Sequence, residues 1–568
     1  MSAKQLSAAQ CTLLAVHFAS EANIEALHAL TRERLDVLGE ELVLRILLSY
    51  LAESVDPCLY TSFVGEVTSH IYLQQRDHVK IDTSPVRDVS EAQAQKRVGR
   101  LHMIEMSAPN FPPKAPQDLL TRFLCHRSYR IDTETGLLTL VPSLVVPFLD
   151  HSEYLRTWFI SLVLPLLRLG YDYYPGNQDA LSLETFEQID APRGIEILLA
   201  KSTHSRHQVT SAVDSEGTVA RDLRGLIGPW MYGHTERKRR KLNAIGSDDH
   251  RLPSYPERSE AARGAPGRAA FIGLEGVSSE DKTGHDWEYV FHWLVHHAAD
   301  DFALVTNAVE EWDGPGDVDL GDYIDGSVYL EKDTQTKLER QYAQAAFAAC
   351  YAVKADTDET VQGAHGILVR LAQLLDFEPP PDLATSVQQL PKLDRHTELL
   401  QATENTDLLE PDALLQPHHP LTTPKLETFM LLQMLVYTAY QLAGLGHRLS
   451  IYSVAKLRFF ADQDDQLALL HKILRTLAAK GKRDEQQWQS DYYRLMWLWN
   501  WNIDTDEPAL NGAGVFGKID KLTLEKELLG LFVASSCKSV DRIDCLSSYS
   551  LALVKSPRQR RCYCINTS

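Results

Sequence analysis

The sequence predicts an all-α fold, an irregular α-solenoid of stacked antiparallel helix pairs with a long disordered insertion. Three observations carry this reading. Apolar residues recur at helical spacing through almost the whole chain, and the period-two alternation of strands is hard to find. The periodic segments run for about 10–16 residues between short polar or proline turns, the rhythm of helix pairs. Several are apolar on nearly every face, as a helix must be when it touches both its partner and the next layer. No fixed repeat period can be read from the letters, so the stack is irregular.

The elements follow in order. "MSAKQLSAAQCTLLAVHFASEANIEAL" has no sustained apolar core before Glu21 and reads as a first helix, not a secretion signal. Leu13, Leu14, His17 and Phe18 mark one face of it. "NIEALHALTRER" forms the second helix, and "EELVLRILLSYLAESV" spreads its apolar residues around most of its circumference. Asp56 and Pro57 then supply an N-cap and a first-turn proline for "CLYTSFVGEV". Farther on, "SEYLRTWFISLVLPLLRLGYDYYP" reads as a main helix capped by Ser152, with Glu153 at its positive end and a kink at Pro165. "LSLETFEQIDAPRGIEILLAKS" adds two shorter helices. After Thr423-Pro424, "FMLLQMLVYTAYQLAGLG" has almost the length of a membrane span. Gln433, Thr438 and Gln441 within it favour a helix buried by protein on two sides.

Four regions result. Residues 5–201 form an N-terminal solenoid. Residues 202–284, rich in Ser, Arg, Gly and Pro, form a mostly disordered insertion with a short ordered anchor at 222–233, around Trp230 and Tyr232. Residues 285–533 continue the solenoid. Residues 534–568 are a Ser-, Cys- and Arg/Lys-rich tail that breaks the helical pattern and is read as disordered and foreign to the fold, from an altered splice or reading frame.

Composition narrows the function. A net charge of −20 argues against generic nucleic-acid binding, because a phosphate backbone needs a basic face. Cys11, Cys58, Cys125 and Cys350 lie in apolar segments, as buried thiols do. Cys537, Cys545, Cys562 and Cys564 crowd the tail without the spacing of a zinc site.

Five motifs invite chemistry. "NGAGVFGKID" places Gly512, Gly514, Gly517 and Lys518 at the spacing of a phosphate-binding loop. Ile519 stands where a magnesium-binding Ser or Thr is required, and no strand precedes the loop, so it reads as a flexible helix–helix connection with Lys518 solvated or near the next helix start. His292 and His296 stand four apart beside His297, but Trp293 takes the place of a zincin Glu and no third ligand shows. In "DGPGDVDLGDYIDG", Asp317 and Asp319 fit two calcium positions. Gly321, Asp322 and Val328 break the pattern, leaving an acidic surface loop. The basic run Arg237 to Lys241 reads as a solvated or partner-binding segment, with nuclear import as the alternative. Trp488, Tyr492 and Trp499 share one helical face, and Tyr493, Trp497 and Trp501 form a neighbouring stripe. Without interleaved basic residues this is a helix buried between layers. The expectation is no catalytic, cofactor-binding or metal site, and no enzyme.

Particular phrases then carry a resemblance. The opening "FASEANIEALHALTRERLDVLGEELVLRILLSYLAESVDPCLYTSFV" resembles that of the fungal secretory-pathway Sec thirty-nine domain family, relatives of the animal neuroblastoma-amplified protein. "YLRTWFISLVLPLLRLGYDYYP", "RDLRGLIGPWMYGHTERKRRKLN", "WEYVFHWLVHH" and "AGVFGKIDK" extend the likeness over roughly residues 10–533. The resemblance implies an α-solenoid subunit of the DSL tethering complex, peripheral on the cytosolic face of the endoplasmic reticulum (ER). Its implied partners are other tether subunits and ER SNAREs, with indirect association to COPI vesicles returning from the Golgi. The other readings are an unrelated helical-repeat adaptor, nuclear through Arg237–Lys241, and a nucleotide-binding enzyme using the Gly512–Lys518 loop.

Overall fold

The computed structural model describes residues 3–71, 81–106, 118–175, 181–204, 218–233, 285–324, 330–392, 406–479, 485–503 and 512–534. Every regular element among them is helical, so the all-α expectation holds. Most of the 202–284 insertion, the basic run Arg237–Lys241 and residues 535–568 of the tail lie outside the described residues. The chain divides into two compact units, Met1–Tyr289 with Pro315–Gln335, and Val290–Gly314 with Thr336–Ser568.

In the first unit, α1 (Ala8–Ser20) opens on a capping box in which Ser7 and Gln10 satisfy each other's backbone amides. Of the four residues on its apolar face, Leu14 and Phe18 are buried, whereas Leu13 and His17 are half-buried. Asn23 caps α2 (Ile24–Glu33). Next come α3 (Glu40–Tyr50), α4 (Thr61–Ser69), α5 (Glu91–Val98) and α6 (Leu119–Thr135). Asp56 does cap, accepting from the Cys58 amide at 2.9 Å, but what it caps is a separate 3-10 turn, Pro57–Leu59. Cys58 is therefore exposed, unlike the buried Cys11, Cys125 and Cys350. α1 packs against α2, α3 and α5, and α3 against α4 and α6, the near-neighbour packing of helix pairs.

The main helix around Pro165 is widened over two stretches. Glu153–Trp158, the π-helical Phe159–Val163, Leu164–Leu167 and the π-helical Arg168–Tyr173 run on as α7, residues 153–173. Proline cannot donate to the carbonyl four residues back and its ring crowds that turn; a wider π turn relieves both. Ser152 occupies the N-cap position without making a cap hydrogen bond. The expected pair of shorter helices follows as α8 (Leu183–Glu187) and α9 (Ala191–His204), the latter reaching past residue 201.

The same device recurs in α10, residues 218–232. Here the π-helical Leu223–Ile227 lies between Thr218–Asp222 and Gly228–Tyr232 and directly precedes Gly228-Pro229. The carbonyl that Pro229 cannot serve belongs to Gly225, and it accepts instead from Arg168 Nη1 of α7 at 2.9 Å. Trp230 is fully buried against α9, where a Cβ on Gly194 would sit 2.3 Å from its ring. The ordered anchor within the insertion is thus helical from Thr218 and packed on α7 and α9.

Asp222 in α10 is fully buried, accepts from the Tyr174 hydroxyl and pairs with Arg221. Burial raises its carboxyl from 3.8 to about 6. A raised folded pKa means the folded state holds a proton that the unfolded chain has released. The stability from this group is fully present below about pH 3.8 and is lost as pH rises through about 6. Asp222→Asn is expected to flatten the stability of this unit between those limits, checked by thermal unfolding at a series of pH values.

The second unit contains most of α11 (His285–Asp300), then α12 (Phe302–Glu311), most of α13 (Lys332–Ala352), α14 (Asp358–Leu375), the short α15 (Pro411–Leu414) and α16 (Leu426–Gly444). It closes with α17 (Ile451–Phe459), α18 (Gln463–Ala479), α19 (Glu485–Asn500) and α20 (Lys521–Ala534). α14 packs between α12 and α16, and α16 also meets α17 and α19. α16 is buried around nearly its whole circumference, Gln433, Thr438 and Gln441 included. No helix among the described residues is long and apolar enough to cross a membrane. Lys425 is the N-cap of α16, and Thr423 and Pro424 precede the helix, with the Thr423 hydroxyl bonded to the His419 carbonyl.

Candidate functional sites

The glycine loop is built onto the C-terminal end of α19. The last carbonyls of a helix have no partner within it. Here the Gly514 amide donates to the Trp499 carbonyl at 2.8 Å and the Phe516 amide to the Leu498 carbonyl at 3.2 Å. The Gly512 amide bonds the Gly517 carbonyl, the Gly517 amide bonds the Gly514 carbonyl, and the Ala513 amide reaches Asn500 Oδ1. The Lys518 amide donates to Oε1 of the buried Gln466 at 3.0 Å, and the Lys518 ammonium donates to the Ala461 carbonyl. Arg458 Nε holds the Ala513 carbonyl at 2.8 Å; burial draws this guanidinium down to about 10, still charged at neutral pH.

A phosphate loop must offer its amides to a ligand. Here the amides of Gly512, Ala513, Gly514, Phe516, Gly517 and Lys518 are taken up within the fold. Its glycines serve close backbone approach: a Cβ on Gly512 would lie 2.2 Å from the Trp499 carbonyl oxygen, and one on Gly517 2.2 Å from that of Gly512. Val515, Phe516 and Ile519 are fully buried. The loop is therefore a packed helix cap, not the flexible connection expected, and Lys518 lies near the start of α20, the second of its two expected placements, with its ammonium bonded to a backbone carbonyl. Lys518→Ala is expected to cost about 1 kcal/mol for one lost hydrogen bond. Neither the variant nor the parent should give saturable ATP binding in a fluorescent-nucleotide titration.

The aromatic stripes lie inside. Trp488, Tyr492, Trp497, Trp499 and Trp501 are buried, and Tyr493 is half-buried. Trp499 Nε1 donates to the Ile519 carbonyl at 2.8 Å and Trp501 Nε1 to Thr438 Oγ1 at 3.1 Å, so their polar handles bond to protein.

The calcium-like loop is likewise committed. Arg224 Nη2 lies 2.7 Å from an Asp317 carboxylate oxygen, and Arg168 Nη2 lies 2.8 Å from one of Asp319. Arg168 Nη1 also bonds the Asp319 carbonyl at 2.7 Å. Both expected calcium positions thus face guanidinium groups that compete with a cation, and the acidic loop is a strap pinned to α7 and α10.

The histidines behave differently. His297 stacks on Trp293 with ring centroids 4.1 Å apart and bonds the Trp293 carbonyl. His292 and His296 instead turn toward Asp412 of α15, whose carboxylate oxygen lies 3.6 Å from His292 Nδ1 and 3.7 Å from His296 Nε2. Asp412 is the third acidic or imidazole group absent from the local sequence. It stands more than a hundred residues away, where no spacing rule could link it.

Taken together, the described residues make an all-α protein of packed helix pairs whose most enzyme-like sequence, the glycine loop, caps a helix. The chain belongs to the family of the secretory pathway protein Sec39, whose model matches residues 12–552. That family places it among secretory-pathway proteins. The match passes Ala534 and takes in the first part of the Ser/Cys-rich segment. Comparison with curated proteins gives no match.

Proposed function

We propose that this chain is a non-enzymatic scaffold subunit of a DSL-type tethering complex on the cytosolic face of the endoplasmic reticulum. In this reading it binds other tether subunits and ER SNAREs, and through them helps capture vesicles returning from the Golgi. The family match over residues 12–552 is the observation that carries the proposal. The helix-pair build suits it physically, because stacked helices present long lateral surfaces to several partners without a catalytic pocket. The test is affinity purification from cells under conditions that preserve peripheral complexes. Recovery of ER SNAREs together with other tether subunits is the expected result, and recovery of nuclear-import receptors alone would contradict it.

A further inference from the structure

We propose that His292, His296 and Asp412 form a binding site for a first-row divalent cation of the zinc class, clipping α11 to α15. Three observations converge. First, one ring nitrogen of His292, one of His296 and a carboxylate oxygen of Asp412 all lie within 4.8 Å of one another. The two imidazole-to-carboxylate distances, 3.6 and 3.7 Å, exceed by a few tenths of an ångström the roughly 3.3 Å between two ligands of a tetrahedral zinc ion. An ion fits with small side-chain rotations.

Second, the tautomer of His296 is set. Its Nδ1 lies 2.9 Å from the His292 carbonyl, which can only accept, so Nδ1 carries the hydrogen. In the neutral ring this leaves Nε2 with its lone pair directed at the cluster. A ligating histidine orders itself this way, donating its other ring nitrogen to a carbonyl or carboxylate.

Third, the carboxylate sits on a fixed element. Leu414, in the same turn as Asp412, is fully buried. Its carbonyl accepts from Gln344 Nε2 at 3.1 Å and Thr422 Oγ1 at 2.6 Å. Two imidazoles four apart on one helix and a carboxylate from a pinned turn make a borderline-hard donor set that suits zinc, with water completing the shell. All three side chains reach solvent, so the ion can enter directly. The ion would add a cross-link between distant stretches of the second unit. The role proposed for the ion is therefore structural.

The experiment is a zinc titration of the full chain, with accessible thiols alkylated, against a chromophoric chelator. Asp412→Asn and His292→Gln are run beside it, and circular dichroism verifies the fold of each. Loss of one direct ligand should weaken the site at least about tenfold, since even outer partners of a ligand cost that much. The unsubstituted chain should take up one equivalent that both variants lose, and zinc should raise its unfolding temperature but not theirs. Equal uptake by all three proteins, or no uptake by the unsubstituted chain, would overturn the assignment.

Discussion

Replacing Arg127 by Leu is expected to destabilise the first unit by about 3–5 kcal/mol, the cost of breaking a buried charged network from one side. Arg127 rises from α6 and is fully buried. Its Nη1 donates to the Leu51 carbonyl at 2.8 Å and its Nη2 to the Ala52 carbonyl at 2.6 Å, where α3 ends. The guanidinium thereby serves carbonyls that a helix leaves unpaired and meets the negative end of its dipole. It also reaches the Tyr60 hydroxyl at 3.4 Å and lies 3.6 Å from Glu53. Leucine would fill much of the volume and satisfy none of these groups, so buried carbonyls lose their partner. Arg127→Lys retains the charge without the planar fork and should lose less. Hydrogen exchange of the α3 and α6 amides reads the effect locally: faster exchange in the Leu variant, an intermediate rate in the Lys variant. Unchanged protection in both would refute the capping role.

Gly514→Ala is the second large effect, expected to cost about 3 kcal/mol, the upper range for a single substitution that forces backbone apart. The added Cβ would meet the Leu498 carbonyl oxygen at 2.1 Å and the Trp499 carbonyl carbon at 2.9 Å. These are backbone atoms at the end of α19 and cannot swing aside as a side chain could. Relief requires lifting the loop, which breaks the Gly514 and Phe516 amide bonds to α19 and loosens the buried Val515 and Phe516. Gly530→Ala, at a helical glycine with open space around its Cβ position, is the control and should be neutral or slightly stabilising. Limited proteolysis separates them: the Gly514 variant should be cut faster near the loop, the Gly530 variant should not. Equal cleavage of both would mean that the glycine is dispensable.

Periodicity made the helical class legible, because amphipathic spacing is a local signal that survives in any helix stack. The buried nature of α16 and of the aromatic helix was legible too, since stripes covering most of a circumference leave no solvent face. The glycine loop was legible only as a negative. Ile519 argued against magnesium, but the packing of the loop onto Leu498 and Trp499 depends on three-dimensional approach. Pro165 announced a disturbed helix without revealing that its relief would be π-helical widening. Arg127 and Arg168 look like surface cations by type. Their burial follows from carbonyls at the end of α3 and before Pro229, 75 and 57 residues away in sequence. Asp412 was invisible beside His292 and His296 for the same reason.

Acute depletion of the chain in living cells, followed by the location of an ER-resident protein that depends on retrieval from the Golgi, tests the tethering account most directly. The account predicts rapid escape of that resident from the endoplasmic reticulum, with retrieval vesicles accumulating before any defect in forward transport. Normal retrieval after complete depletion, or a forward-transport defect that appears first, would contradict it.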